Sequence, residues 1–553
     1  MEMPQLELTP PAKSRLASRL EIFKNYFDEN KQIDVSAAWA VAIFLAIVLW
    51  RIFATIRLYD QGFNSVSADD FGRMIDAANW SKQPYGLWYG PWLPFHSYFF
   101  GSILRLHWDL LWMPRVIMVV LGICNLFVVY LLTLRLFRNR LAGLVAAFAL
   151  SLNPAHLWLS STPLTELITH ALILLAILFL VIYIQDAKVI WVFFSAIVFA
   201  IATGFRFEAW LFTAIFSVIV TVFVGRRIIR KEQSLKQSLI PIISACLPWA
   251  FPLMWLLGNH IYTGDAFFFL SFVRDYKATH YGNNIIPEVY GELFLRLDPY
   301  LVRASAFAIA WATIIRGFSK GKLAYLLMAV VPASVFLWMG GGQSEPMGNY
   351  IRYYGPFLFY LYPYLGIFLI GLVSYVPFPK WLKYVIIVIV CLLSVSPQMK
   401  NADNYFIDPS AGGVKIGQRI EYFLDQMPKD KQSALVQREY WLYLAIQTGA
   451  NDDGKLIFDT PLNKTTRDTT SLLLTQHEQW LACVEEFDVG LLVYRNEQAA
   501  ALLSDSFGLF SVEDVNGYKF FLVPENFTEA HKTSSGITCP LVPELPFNLF
   551  EVN

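Results

Sequence analysis

Charge is scarce in this sequence. Of its 553 residues only 16% are Asp, Glu, Lys or Arg, and 43 basic residues cancel 43 acidic ones. An ordinary soluble chain is about a quarter charged, so this composition excludes a simple soluble globule. Zero net charge gives no pull toward nucleic acid or an acidic polymer. Cysteine is sparse, at five residues, and no Cys/His spacing suits zinc. There is no Gly-x-Ser-x-Gly and no Gly-Lys-Ser/Thr phosphate loop. A nucleophile elbow and ATP-driven transport therefore have no support. Residues 1–36 hold neither an early apolar core nor a small-residue cleavage site, so no cleavable signal peptide is expected.

What is abundant is apolar and aromatic: 56% of residues are hydrophobic, with 17 Trp and 27 Tyr. Rings of that kind settle at membrane–water boundaries. Crossing a bilayer takes roughly 20 apolar residues. About eleven runs approach that length: 37–57, 112–134, 141–159, 164–184, 189–205, 209–225, 239–259, 301–315, 323–339, 354–375 and 382–398. The fold class expected is an all-α polytopic membrane protein carrying a C-terminal extracytoplasmic α/β soluble domain. Three segments follow: 1–36 cytoplasmic, 37–398 transmembrane with a first outer loop at 58–108, and 399–553 outside.

Basic residues set the orientation. Arg135, Arg138 and Arg140, then Lys188, then Arg226, Arg227, Arg230 and Lys231, then Arg316, Lys320 and Lys322, then Lys380 and Lys383 fall in every second loop. Those loops and the N-terminus are expected in the cytoplasm. An odd number of spans then puts 399–553 outside. In that region Gly413 to Met427 reads as a helix, and Leu456 to Phe458, Val489 to Tyr494 and Tyr518 to Val523 read as buried strands. Cys483 and Cys539 would face an oxidising compartment, where a disulfide is open to them.

Acidic groups gather at the outer ends of the spans. Asp69 and Asp70 follow the first span, and charges so near a bilayer commonly mark function. Phe71, Met74, Ile75 and Ala78 fall at helical spacing, which suits a short surface helix capped by Ser67. The plainer reading of the two carboxylates is complement to the helix dipole. Glu166 opens the fourth span, and Arg206 and Glu208 join the fifth to the sixth. A helix-start charge and a self-satisfied ion pair are the plain alternatives there. Arg352 precedes the tenth span, where interfacial anchoring is its alternative. His96 lies in the aromatic first loop, and Asp265, His280 and Tyr281 in a long loop after the seventh span, which could close over an acceptor.

In order, these segments resemble the GT-C membrane glycosyltransferases, in particular the branch with protein O-mannosyltransferases and the lipid A aminoarabinose transferase. The resemblance covers about residues 37–375: Asp69-Asp70 with Arg73, Tyr89-Gly90-Pro91-Trp92-Leu93-Pro94, Thr165-Glu166, Arg206-Phe207-Glu208, Asn259 with Gly264-Asp265, and Arg352-Tyr353. Asp70 stands where the family more often has Glu. The Trp-Trp-Asp signature of oligosaccharyltransferases is absent.

The resemblance implies a polyprenyl-phosphate sugar donor, an acceptor hydroxyl on a lipid, glycan or protein, and transfer with inversion outside the cytoplasm. Asp69 would be the general base, with Asp70 and Glu166 beside it. Arg206 and Arg352 would hold the donor phosphate, and Glu208 would orient Arg206. By their place in the loops, rather than by the resemblance, His96, Asp265, His280 and Tyr281 suit the acceptor or a lid, a static cap packed on the bundle being the plain alternative for the later loop. No cofactor is required, though a divalent metal is compatible with Asp69, Asp70 or Glu166. A prokaryotic plasma (inner) membrane is the expected location. The competing classes are a lipid or solute transporter and a scaffold presenting the outer domain. A transporter should carry charges near mid-membrane in broken spans.

Overall fold

The computed structural model describes residues 32–86, 90–281, 308–309, 319–340, 352–403, 409–439, 442–460, 471–531 and 537–541. Nearly all of the expected span 301–315 and the side chains of His280 and Tyr281 lie outside the described residues. The chain is mostly helical. Helix α1 (Ala37–Asp60) is followed by α2 (Asp69–Lys82) and α3 (Phe95–Leu104). Then come α4 (Trp112–Phe137), α5 (Arg140–Ser151), α6 (Pro154–Leu159) and α7 (Thr165–Asp186). Next are α8 (Val189–Ala202), α9 (Glu208–Ile229), α10 (Leu235–Cys246), α11 (Ala250–Thr263) and α12 (Phe268–Tyr281). Helices α13 (Lys320–Gly340), α14 (Tyr362–Tyr375) and α15 (Lys380–Asp403) complete the bundle.

Among the described residues seven helical segments are long and apolar enough to cross a membrane, and α5 and α8 are shorter apolar helices. Local sequence explains the interruptions. The run 141–159 divides because Asn153 caps a new helix with Pro154 in its first turn. The run 239–259 divides at Leu247–Trp249, where Pro248 cannot donate an amide to the ladder. Helix α7 is apolar all round and lies at the centre, buried from Ile173 and Leu174 to Val181 and Tyr183. By contrast α1 exposes Leu45, Leu49 and Phe53, and α15 exposes Leu392 and Leu393. Apolar faces left open in this way suit contact with lipid.

The C-terminal region carries α16 (Gly413–Leu424), β1 (Ser433–Val436), α17 (Tyr443–Gly449), β2 (Leu456–Phe458), β3 (Val489–Tyr494), β4 (Ser511–Val515) and β5 (Tyr518–Leu522). These strands form one mixed sheet in the order β2-β1-β3-β5-β4. The first three are parallel, and β3, β5 and β4 are antiparallel. The helix Gly413 to Met427 and the three expected strands are close to those observed. Strands β1 and β4 went unforeseen: β1 has only four residues, and β4 is an exposed edge without an apolar run. Cys483 and Cys539 form a disulfide with Cα atoms 4.7 Å apart.

This region rests on α2. Phe71 and Leu111 pack with Val414, Ala445 and Leu444 in one apolar cluster. Lys82 donates to the Asp453 carbonyl and Trp108 to the Asn451 carbonyl.

Candidate functional site

Helix α2 starts where Ser67 Oγ accepts the Asp69 amide at 3.3 Å. It buries Phe71, Met74, Ile75, Ala77 and Ala78, the stripe its spacing announces. Gly101 lets α3 come close: a Cβ there would lie 2.7 Å from the Ala77 carbonyl and from the Trp80 ring. The two leading carboxylates part company, because neighbouring helix positions differ by about 100°. Asp69 has a 37% exposed side chain. Asp70 is fully buried, with Oδ2 3.8 Å from Nη2 of Arg115.

Asp69 turns instead to Arg352, whose Nη1 donates to Asp69 Oδ2 at 2.9 Å and to Ser67 Oγ at 2.7 Å. Arg352 Nε donates to Glu166 Oε1 at 2.9 Å. The same Glu166 oxygen accepts from Arg206 Nη1 at 2.8 Å. Arg206 Nε reaches both oxygens of Glu208 at 3.0 Å, and its Nη2 bonds Glu208 Oε1 as well. A continuous chain of alternating charge results: Asp69, Arg352, Glu166, Arg206, Glu208. Tyr353 lies 5.2 Å from both guanidinium carbons, within cation–π range.

Alternation is what makes this burial tolerable. An unpaired buried ion costs several kcal/mol, and Arg352 and Glu166 are each 1% exposed. Burial opposes the charge on Arg206, yet Glu208 and Glu166 outweigh it and hold its pKa above the ordinary value. Arg73, on the same face of α2 as Asp69, differs. Its guanidinium lies 4.5 Å over the Trp92 ring and its Nε has no hydrogen-bond partner. Burial lowers its pKa, while Asp69 and Glu166 pull it back up.

His96 Nε2 lies 2.7 Å from the Pro163 carbonyl, tying α3 to the start of α7 just before Glu166. Burial, helped by Arg73, lowers the imidazole pKa to about 3. It is therefore neutral, with Nε2–H donating. Gly204 makes room beside it, since a Cβ there would fall within 2.5 Å of the Phe95 ring. That close approach sets the Arg206 turn against the start of α3.

Thus Asp69, Glu166, Arg206, Glu208 and Arg352 meet in one cluster, with His96 at its edge. Asp70 faces away into the core. Asp265 is exposed and accepts the Phe267 amide at 2.8 Å, so its observed role is to start α12. Among the described residues no group of three or more His, Cys, Asp or Glu is placed to hold a metal.

The chain superposes on solved membrane-protein structures over most of its length. ArnT from Cupriavidus metallidurans bound to undecaprenyl phosphate matches with a TM-score of 0.54 at 14% identity, covering 89% of this chain and 99% of that one. The same protein in the apo state matches at 0.53 and 14%, covering 88% and 98%. ArnT is the lipid A aminoarabinose transferase, of the GT-C class. This is the GT-C fold. No family model and no curated protein matches the sequence.

The sequence reading overlooked two polar residues beside this cluster. Ser67 serves Arg352 as well as the helix start. Asp76 lies on the Asp69–Arg73 face of α2, and the i, i+4, i+7 spacing was the signal that could have found it.

Proposed function

We propose that this protein is a membrane glycosyltransferase that moves a sugar from a polyprenyl-phosphate donor to an acceptor hydroxyl, with inversion, outside the cytoplasm. One observation carries the reading. A partly exposed carboxylate, Asp69, sits 2.9 Å from an arginine that is coupled through Glu166 to a second arginine. A base beside paired guanidinium groups is what attack on an anomeric carbon with a phosphate leaving group requires.

Asp69 takes the proton of the acceptor hydroxyl as its oxygen attacks the anomeric carbon from the face opposite the phosphate. The leaving phosphate ionises readily, so no second carboxylic acid is needed to protonate it, unlike the two-carboxyl hydrolases. Its developing charge needs cations. Arg352 and Arg206 supply them, and the guanidinium fork suits phosphate geometry. Glu208 holds Arg206 in place, and Glu166 spaces the two arginines. The neighbour ArnT, solved with undecaprenyl phosphate, supports a polyprenyl-phosphate partner.

The extracytoplasmic placement draws support from the basic alternate loops and from the Cys483–Cys539 disulfide, a bond that persists in oxidising compartments. A plasma membrane protein with residues 399–553 outside is the consistent topology. The decisive experiment is Asp69→Asn in membranes supplied with polyprenyl-phosphate sugars. Loss of transfer at normal expression is expected, and retained transfer removes Asp69 as the base.

A further inference from the structure

Beside the ion-pair chain lies a set of polar atoms that the proposed chemistry leaves unused. Glu166 Oε1 accepts both arginines, but among the described residues Glu166 Oε2 is buried without a partner. Among the same residues His96 Nδ1 is likewise buried and unpartnered, as is Arg73 Nε, on a side chain only 6% exposed. Asp76, half-buried and one turn beyond Arg73, has its charge supported by Arg73. These groups come from α2, α3 and α7, and Arg73 lies within electrostatic reach of each of the other three. His96 feels Arg73 and Glu166, and Arg73 feels Glu166 and Asp69. Orphaned buried polar atoms cost about 1–3 kcal/mol each, so several together argue for an occupant that satisfies them.

Their chemistry restricts the occupant. Neutral His96 offers a lone pair at Nδ1, since Nε2 donates to Pro163. Glu166 Oε2 accepts, Arg73 Nε donates, and Asp76 adds a carboxyl group. Acceptors outnumber donors, and two of the four groups are carboxyls, which disfavour an acidic guest. A cluster of uncharged hydroxyls, each able to donate and accept, matches this lining. Asp69 and Asp76 are seven residues apart, about 10 Å along the helix axis, enough to span a sugar ring.

We propose that Arg73, Asp76, His96 and Glu166 form the subsite that recognises the hydroxyl groups of an uncharged donor sugar, with Trp92 backing Arg73. This rests on the glycosyltransferase reading and extends it to the transferred group. The neighbouring Asp69–Arg352 pair would then meet the anomeric carbon and phosphate.

The test is binding to the full-length protein in detergent, using a short-chain polyprenyl phosphate with and without a neutral hexose. The unaltered protein should bind the hexose-bearing lipid at least tenfold more tightly. Asp76→Asn and Arg73→Lys should each reduce that preference to less than threefold, while affinity for the sugar-free lipid changes less than twofold. Both variants are carried, so that a folding failure in one leaves the other to decide. A retained preference in a folded variant, or equal weakening for both lipids, overturns the subsite and leaves water as the partner of these polar atoms. If the unaltered protein binds neither lipid, the glycosyltransferase reading falls with it.

Discussion

Asp69 and Arg352 are 283 residues apart in sequence and 2.9 Å apart in space. The contact joins the segment between α1 and α4 to the start of a late helix, and its two members are differently placed. Arg352 is 1% exposed while Asp69 is 37% exposed. A guest approaching from outside therefore meets the carboxylate first and the guanidinium behind it. Replacing Arg352 with Lys keeps the charge but loses the fork that serves Asp69, Ser67 and Glu166 together. On the proposed reaction, turnover is expected to fall by roughly 10²-fold with expression preserved, because an oriented donor to the leaving group would be lost. Initial rates at saturating donor check this.

Glu166 is the hinge of the charge chain. Changing it to Gln keeps the shape and leaves Arg352 and Arg206 with less compensation in a buried setting. Removing one partner of a buried pair typically costs about 3–5 kcal/mol. Glu166→Gln should therefore lower thermal stability in detergent more than Asp69→Asn does, because Asp69 is partly solvated. Equal melting temperatures for the two variants would contradict the pairing described above.

Much of this was legible beforehand, for physical reasons. The amphipathic stripe of α2 and the apolar runs are period signals, and the buried strands Leu456–Phe458 and Val489–Tyr494 are continuous apolar runs. Convergence of Asp69, Glu166, Arg206 and Arg352 was expected from their shared place at one end of the spans and from the family resemblance, which together supply the long-range proximity that local patterns lack. Asp70 shows the limit. Side-chain direction on a helix turns by about 100° per residue, so an adjacent pair looks like a dyad in sequence and points two ways in space. The partner Arg115 that claims Asp70 lies 45 residues on, where no local rule reaches.

The C-terminal region bears on the same helix. Ala445 is fully buried against Phe71, Leu111 and Val414, so α17 presses on the turn that carries Asp69 and Asp70. Ala445→Leu overfills that contact, at about 1–3 kcal/mol. The expected result is a several-fold fall in turnover although no group of the charge chain is altered. Full activity from a folded Ala445→Leu protein would show that α17 does not constrain α2.

Asp76 gives a pH signature. Burial, only partly offset by Arg73, raises its pKa to about 7 from an ordinary value of 3.8. The neighbouring titratable groups are Arg73 on α2, together with Tyr85, which feels the Asp76 charge and is itself close to Tyr98. The folded protein holds the Asp76 proton more tightly than the unfolded chain does. Its contribution to stability is thus complete below about pH 4 and drains away as pH rises toward 7. The slope follows from the greater number of protons bound by the native state in that window. Asp76→Asn cannot ionise, so its melting temperature should fall less steeply between pH 5 and 7 than that of the unaltered protein. Parallel curves would mean that Asp76 is not the group responsible, and would place its carboxyl in a more polar setting than the one it shares with Arg73.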